Sequence, residues 1–415
     1  VDVVVESLEL AERRGLTDGA FLVRSGREFV VIDWDFLESK LEGLRNGGLY
    51  REPEDGAIRE SCLRRATALG VTPIDASSND YLGYAKYPVS RETYLESTST
   101  GAGASRLIHG TRPEHQALER ALSTWVGQPA TLLFASGYAA NMGVMGTMAQ
   151  LGDLVISDSL NHASIIDGCR LSRAEVAVYA HTDIGAVDSI LRREAPKRRC
   201  WVVTETYFSM DGDSPDLQAL RSICDERRAA LVVDEAHALG VFGPNGSGLC
   251  NQYGFKPDVL VGTFGKALGA QGAFVASSTT FRNWLWNRAR SFVYSTALSP
   301  LLAEVALRNL TRARADDSGR SRLSNACAEL RDRLAAAGIE LLRSSYGPIV
   351  PIILGSPERA LAVTDDLISQ GILVQAIRPP TVAPDSCRIR VTVNSTFNDE
   401  QVQRLAASII RTCSE

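Results

Sequence analysis

Residues 263–275 read Thr-Phe-Gly-Lys-Ala-Leu-Gly-Ala-Gln-Gly-Ala-Phe-Val, with Lys266 as the single charge in the run. The apolar triplet Val259–Val261 enters this stretch and the run Ala273–Ala276 leaves it, both at strand length. Gly265, Gly269 and Gly272 punctuate the turn between them. A lysine is costly to bury unless it is paired or neutralised. On a glycine-rich turn between two core strands it is held in a fixed, dry position. That suits an amine nucleophile that forms a Schiff base with an aldehyde cofactor. The same stretch also accommodates a solvated lysine on a tight turn, so the rest of the chain has to decide.

Working outward, apolar runs of strand length recur at Leu132–Ala135, Leu154–Ser157, Val176–Tyr179, Trp201–Thr204 and Leu231–Asp234, besides the two already named. Helical patterns separate several of them. The best-marked starts at Ser214-Pro215-Asp216, read as a cap with proline at the first helical position, followed by Leu217, Leu220, Ile223 and Cys224 on one side. Buried strands alternating with helices predict an α/β fold with a seven-stranded, mostly parallel sheet covered on both faces. Ligands of such sheets bind at the carboxyl ends of the strands. There stand Ser136-Gly137, Asp158, Glu205, Asp234–His237 and Thr263–Lys266.

Beyond Ser299 the pattern changes. A long helical region spans Pro300–Ala337, then short strands come near Ile349–Leu354, Leu373–Ile377 and Arg388–Val393, with helices at Glu358–Ser369 and Asp399–Ile410. This predicts a smaller C-terminal α+β domain over 300–415, beside a large domain over 76–299. Residues 34–75 read as an N-terminal helix, Asp33–Leu49 stopped by Gly47-Gly48, and a linker. Residues 1–33 form an extension too short for its own core. Within it, Ser7–Arg14 is expected as a helix and Phe29–Ile32 as a strand, and no secretory signal is read there.

Composition narrows the functional classes. The chain has 415 residues, 45% hydrophobic and 22% charged, with a net charge of −5. No bulk basic field points to nucleic acid or an anionic membrane surface. No apolar run approaches the roughly 20 residues of a membrane span. The eight cysteines are scattered without a CxxC or a zinc spacing, which leads us to expect reduced thiols, a cytoplasmic location and no metal.

Several constellations carry chemistry. Asp234-Glu235-Ala236-His237 spells a helicase box, but no GxxxxGK[ST] phosphate loop precedes it. An aspartate at that strand end either caps the next element or pairs with a protonated ring nitrogen and keeps the ring an electron sink. Ser136–Asn141 joins a strand to a helix, where backbone N–H groups suit a phosphate and Ser136 suits an ordinary N-cap. Phe134 stands where a GxSxG elbow needs glycine. Among the five histidines, His162 follows a strand and can stack on an aromatic ring. Arg388 and Arg390 alternate onto one face of their strand, and Arg378 lies beside another. Either solvated or turned to a site, arginines of this kind bind carboxylates bidentately.

The ordered motifs SNDYLG (78–83), GAGASR (101–106), SGYAAN (136–141), NHAS (161–164), SMDGD (209–213), DEAH (234–237) and TFGKALG (263–269) resemble those of the α-oxoamine synthases, pyridoxal-phosphate enzymes of fold type I. The resemblance covers Phe36 to the C-terminus, and the run AIRPPTV (376–382) is most similar to the branch that makes 8-amino-7-oxononanoate for biotin. It implies pyridoxal 5'-phosphate as the cofactor and a decarboxylative Claisen condensation of an amino acid, L-alanine, with an acyl thioester, pimeloyl-CoA or a pimeloyl carrier protein. Lys266 is implied as the cofactor-binding lysine that moves protons at Cα, and Asp234 as the partner of the ring nitrogen. His162 is implied to stack on the ring, with His237 and Ser209 near its phenolic oxygen. Gly137, Tyr138 and Thr263 are implied to bind phosphate, joined by Ser295 and Thr296 from the other subunit of a homodimer. Asn79, Glu205, Arg378 and Arg390 are implied to face substrate, Arg390 at the amino-acid carboxylate.

Other branches of the family compete for the reaction: glycine C-acetyltransferase, 5-aminolevulinate synthase, serine palmitoyltransferase and secondary-metabolite condensing enzymes. An aminotransferase of the same fold and a non-catalytic partner subunit are the readings of other classes. The chain departs from the family pattern at Asn394-Ser395-Thr396-Phe397, where members often carry Ser-Ala-Ala-His, and at His109, where small residues are common.

Overall fold

The seven apolar runs form a single sheet. In chain order its strands are β4 (Ala130–Phe134), β5 (Leu154–Asp158), β6 (Glu175–Tyr179), β7 (Cys200–Glu205), β8 (Ala230–Asp234), β9 (Val259–Thr263) and β10 (Ala273–Ser277). They line up as β4-β10-β9-β8-β7-β5-β6. Only β10 runs antiparallel to its neighbours, so the other strands present their carboxyl ends along one edge. The structure, a computed structural model, describes the backbone of residues 21–25, 28–32, 35–51, 57–88 and 99–414, and side chains over 36–51, 58–88 and 99–414.

Period-two alternation explains why the strands read as continuous apolar runs. On β8, Leu231 and Val233 join the core on one face and Val232 the core on the other. On β10, Phe274 and Ala276 point one way and Ala273 and Val275 the other. The expectation of uniformly buried strands fails at β6. It is an edge strand with Val178 64% exposed and only Tyr179 buried, whereas the opposite edge strand, β4, is buried.

Helices fill the crossovers: Pro113–Val126 ahead of β4, then Gly137–Met148, Ala163–Leu171, Ile184–Glu194 and Leu217–Arg227. The last starts two residues later than the sequence suggested. Asp216, not Ser214, is its cap, and its carboxylate accepts from Ala219 N at 3.0 Å. The long helical region is two helices, Pro300–Ala315 and Asp317–Ala336, interrupted at Asp316, whose side chain caps the second.

A second, antiparallel sheet contains β11 (Ile349–Gly355), β13 (Gln375–Ile377) and β14 (Cys387–Thr392), in the order β11-β14-β13. The short β3 (Ile74–Asp75) pairs in parallel with β12 (Ile372–Leu373), which ties the N-terminal segment to the C-terminal one. Helices Pro357–Ser369 and Asp399–Ser414 complete this part. Before them, β1 (Phe21–Ser25) and β2 (Glu28–Ile32) form a hairpin; the sequence had suggested only its second strand. The helix expected at Ser7–Arg14 lies outside the described residues. All eight cysteines are free thiols. Among the described residues no helix is long and apolar enough to cross a membrane.

The β9–β10 connection is bolted down by apolar side chains. Phe264 is fully buried and stacks on Phe274 at 5.7 Å between centroids, and Ala267 and Leu268 are also buried. Gly269 N donates to Lys266 O at 2.9 Å, closing a turn around the lysine. Gly269 has φ 56°, and a Cβ there would lie 2.3 Å from Ala85 N, in the backbone that follows SNDYLG. Backbone cannot move aside cheaply, so Gly269→Ala is expected to lower stability by about 2–3 kcal/mol. A drop in denaturant midpoint with an unchanged slope is the expected reading; an unshifted midpoint contradicts this packing.

Candidate active site

Four strand ends and one helix start converge at the carboxyl edge of the large sheet. Asp234 closes β8. Its Oδ2 accepts from Asn141 Nδ2 at 2.7 Å and its Oδ1 from Ala236 N at 2.8 Å. Asn141 is buried in the helix Gly137–Met148 and also donates to Ser164 Oγ at 2.9 Å. Two donors aimed at its two oxygens fix the orientation of the carboxylate.

Lys266 follows β9 and keeps part of its surface open. Desolvation lowers its amine from 10.5 to about 8; Asp234 and Glu205 pull it up, and Arg390 pushes it further down. Glu205, at the end of β7 and paired in register with Asp234, is buried. Burial first, and then the charge of Asp234, raise its carboxyl to about 8. Its Oε1 accepts the His162 backbone N–H at 2.8 Å, which fixes the turn that carries the His162 ring. That ring is exposed, with its Nδ1 tied to Ser164 Oγ at 2.8 Å and the Tyr138 ring edge-on at 6.5 Å.

The helix Gly137–Met148 starts beside Thr263. Ser136 caps it by accepting from Ala139 N at 3.1 Å. The ordinary cap reading of Ser136 therefore holds, and the preceding amides of Gly137 and Tyr138 remain at a helix N-terminus that favours an anion. A Cβ on Gly137 would sit 3.9 Å from Thr263 Oγ1, so this hydroxyl faces the same space.

On the other side of the cleft stands Arg390 of β14, buried, with Nε donating to Ser209 O at 2.6 Å and Nη2 to Asn79 Oδ1 at 2.7 Å. Guanidinium has five N–H groups, so donors remain for a carboxylate. His237 is buried with Nδ1 2.7 Å from Tyr81 Oη. Burial, and then the Lys266 and Arg390 charges, hold it well below the usual histidine range, so its ring is neutral. Burial pushes the Tyr81 hydroxyl up to about 12, so it keeps its proton to donate to Nδ1. That tautomer leaves Nε2–H as a donor.

The remaining expected site residues lie elsewhere. Arg378 donates to Gly48 O and lines a separate cavity with Arg45 and Arg51. Thr296 is exposed and bridges Ser105, so within one chain Ser295 and Thr296 stand with the Gly-rich segment. His109 is exposed on the turn Arg106–Gly110. Phe397 packs partly on the core, and the neighbouring Asn394 donates to Asp80 O.

The profile of the aminotransferase class I and II family matches residues 71–409. The chain belongs to that family. It is 42% identical to the 8-amino-7-oxononanoate synthase of Anaeromyxobacter dehalogenans over 384 residues, which cover 91% of this chain and 95% of that protein. Among solved structures, a serine palmitoyltransferase of S. paucimobilis with PLP and myriocin bound superposes with a TM-score of 0.79 at 28% identity, covering 86% of this chain and 96% of that one. The 8-amino-7-oxononanoate synthase of Francisella tularensis gives 0.73 at 27% identity, covering 83% and 98%. Within the family these relatives place the chain among the α-oxoamine synthases.

In this family the cofactor is pyridoxal phosphate, and the donor set fits it part by part. Lys266 suits the aldehyde, Asp234 the ring nitrogen, the Gly137–Thr263 cradle the phosphate and the His162 ring the flat face. Asn141, Ser164 and Tyr81 were passed over as site residues, although each sits inside a quoted motif. The signal was position: a polar side chain two to five residues from a candidate, on the same turn.

Only the neutral amine attacks an aldehyde. Capture of PLP by the apoprotein is therefore expected to rise with pH up to about 8 and level off above it. A lysine at the ordinary value of 10.5 still gains about tenfold per unit at pH 9. Stopped-flow absorbance distinguishes the two, and a continuing rise contradicts the lowered amine.

Proposed function

We propose that the protein catalyses the decarboxylative condensation of L-alanine with a pimeloyl thioester, carried by CoA or a carrier protein, giving 8-amino-7-oxononanoate for biotin biosynthesis. The observation that carries this is the convergence of Lys266, Asp234 with Asn141, His162 and Arg390 at one edge of the sheet, in a chain 42% identical to 8-amino-7-oxononanoate synthases. The overall reaction joins Cα to the acyl carbonyl and releases the thiol and carbon dioxide. PLP bound there supplies an aldehyde for amine attachment and a ring that accepts negative charge from Cα.

The protein's residues do the rest. Arg390 holds the amino-acid carboxylate, with Asn79 steadying the guanidinium. Lys266, lowered to about 8, takes the α-proton and later returns one to the same carbon. Asp234 keeps a proton on the ring nitrogen. His162 would cover one face of the ring, and His237, through Nε2–H, and Ser209 would hold its phenolic oxygen. Gly137, Tyr138 and Thr263 hold the phosphate. Glu205 fixes the His162 turn next to substrate.

A cavity of about 1000 Å³ adjoins the site and is lined by Arg45, Arg51, Arg59, Arg378 and Thr381. Ser77 and Met210, two residues from Asn79 and one from Ser209, share its wall. Against these four arginines the lining has one carboxylate, Asp365, and Arg59 is paired with Asp75 at 3.6 Å. The remaining positive charge supports an acyl donor that carries negative charge, as pimelate does, and gives Arg378 its place. We assign the large cofactor domain to 76–299, the small domain to 300–415, with the described residues of 34–75 tied to the latter through β3–β12 and Gly48–Arg378 and 1–33 as an extension. The protein acts as a cytoplasmic homodimer in which Ser295 and Thr296 reach the other subunit's phosphate. The exposed Tyr294 and Leu151, beside a cavity of about 960 Å³, support that surface.

The test is product formation by mass spectrometry with L-alanine, glycine or L-serine and acetyl, succinyl, pimeloyl or palmitoyl thioesters. The expected result is 8-amino-7-oxononanoate from alanine plus pimeloyl thioester alone. Preferential turnover of serine with palmitoyl thioester contradicts it.

A further inference from the structure

We propose that His181 is a positioning residue. As an imidazolium donating from both nitrogens, it locks the loop Ser209–Asp213 to the end of β5 and thereby sets the aim of Arg390. The inference rests on the reading of Arg390 as the carboxylate-binding residue.

His181 Nδ1 lies 2.9 Å from Asp158 Oδ1, and its Nε2 lies 3.2 and 3.3 Å from the two oxygens of Asp213. An ionised carboxylate only accepts, and a neutral imidazole has one N–H. Both contacts are satisfied together only by a ring with two N–H groups. Burial opposes that charge, but the hydrogen bonds to Asp158 and Asp213 outweigh it and raise His181 to about 10. The other groups facing it are Asp211, within 4.8 Å of the same cluster, and the edge of Phe208 at 4.4 Å between centroids. Asp211 is in turn paired with Arg388. Asp158, Asp211 and Asp213 therefore face two cations of the chain itself, His181 and Arg388.

The two ends of this bridge matter to the site. Asp158 also accepts from Leu160 N at 2.8 Å and Thr182 N at 2.9 Å, so it is the fixed start of the turn into Asn161-His162. Asp213 also accepts from Ser344 Oγ at 3.1 Å. Between Ser209 and Asp213 the loop is gripped at successive carbonyls. Arg390 Nε takes Ser209 O at 2.6 Å, Arg388 Nη1 takes Met210 O at 3.3 Å, and Tyr346 N takes Gly212 O at 2.7 Å. Phe208 N also donates to Asp213 O at 2.9 Å and Gly212 N to Phe208 O at 3.0 Å, which close the loop on itself. His181 adds the side-chain tie from Asp213 to the end of β5, and Arg390 is aimed by a carbonyl of that loop. Release of that tie lets Ser209 O, and Arg390 with it, move relative to His162 and Lys266.

The test uses the PLP-loaded protein. With ¹⁵N-histidine labelling, only five residues report, and His181 is the signal lost in His181→Gln or shifted in Asp213→Asn. Both its ring nitrogens are expected to stay protonated from about pH 6 to about pH 9; a neutral tautomer at neutral pH overturns the proposal. In kinetics, His181→Gln and Asp213→Asn each raise KM for the amino acid about tenfold or more, with little change in kcat or in KM for the thioester. The double variant is no worse than either single one. A fall in kcat alone, or additive effects in the double variant, overturns it. Asp213→Asn and the wild-type spectrum carry the test independently of whether His181→Gln folds. Arg390→Lys serves as the reference. If it leaves the amino-acid KM unchanged, the Arg390 assignment fails; if it raises that KM while Asp213→Asn does not, the inference about His181 fails alone.

Discussion

Lys266→Ala is expected to leave a folded protein that binds PLP without a covalent link and turns over slower by a factor on the order of 10⁴ or more. The side chain is the one amine lowered to about 8 at the site, and two separate jobs depend on it. On the proposed function it attaches the aldehyde, and it carries the proton to and from Cα. Attachment can be replaced by substrate amine from solution, but the proton transfer has no substitute at that position. His162 is occupied through Nδ1 by Ser164, and His237 by Tyr81. The loss therefore falls on kcat. Borohydride reduction followed by peptide mapping should fix PLP to the wild-type loop 263–275 and to nothing in the variant. A variant within about tenfold of wild type places the proton transfer elsewhere.

The second large effect is at Asp234. Asp234→Asn keeps the shape but is expected to cut kcat by a factor on the order of 10³ and to weaken PLP binding. Both oxygens of Asp234 face donors, Asn141 Nδ2 at 2.7 Å and Ala236 N at 2.8 Å. An amide in that position turns an NH₂ group toward one of them, so a buried donor loses its acceptor. It also removes the charge that keeps a proton on the ring nitrogen. Asn141→Ala keeps the charge and loses one donor, so it should cost much less, about tenfold. Equal losses in the two variants contradict the assigned division between charge and support.

The sheet was legible because each strand is buried on both faces and reads as an unbroken apolar run. The exception, β6, shows the limit: apolar content marks a strand but not whether a neighbour covers it. The break at Asp316 was hidden because the helical pattern continues on both sides of a residue that caps instead of extending. At the site, Lys266 and Asp234 stand on the ends of recognisable strands, so their convergence follows once the sheet is parallel. The polar couplings that aim them do not. Arg390 and Asn79 are 311 residues apart, and Tyr81 and His237 are 156 apart. The first pair exists only after the small sheet docks on the large one, the second only after the segment around Tyr81 folds back onto the end of β8, and no local period announces either. His181, one of the five histidines, carried no role in the sequence, because its meaning lies in Asp158 and Asp213 on two other elements. Arg378 shows the converse: an arginine beside a strand, consistent with a substrate role, is held at Gly48 in a neighbouring cavity.

The central claim is that Lys266 moves the α-proton of an amino acid whose carboxylate Arg390 holds. NMR of L-alanine in D₂O with the PLP-loaded protein measures this most directly. The account predicts that the α-proton signal disappears with wild type, that Lys266→Ala abolishes the exchange, and that no pyridoxamine phosphate accumulates. Retention of the α-proton with wild type, or loss of the amino group to the cofactor, contradicts it.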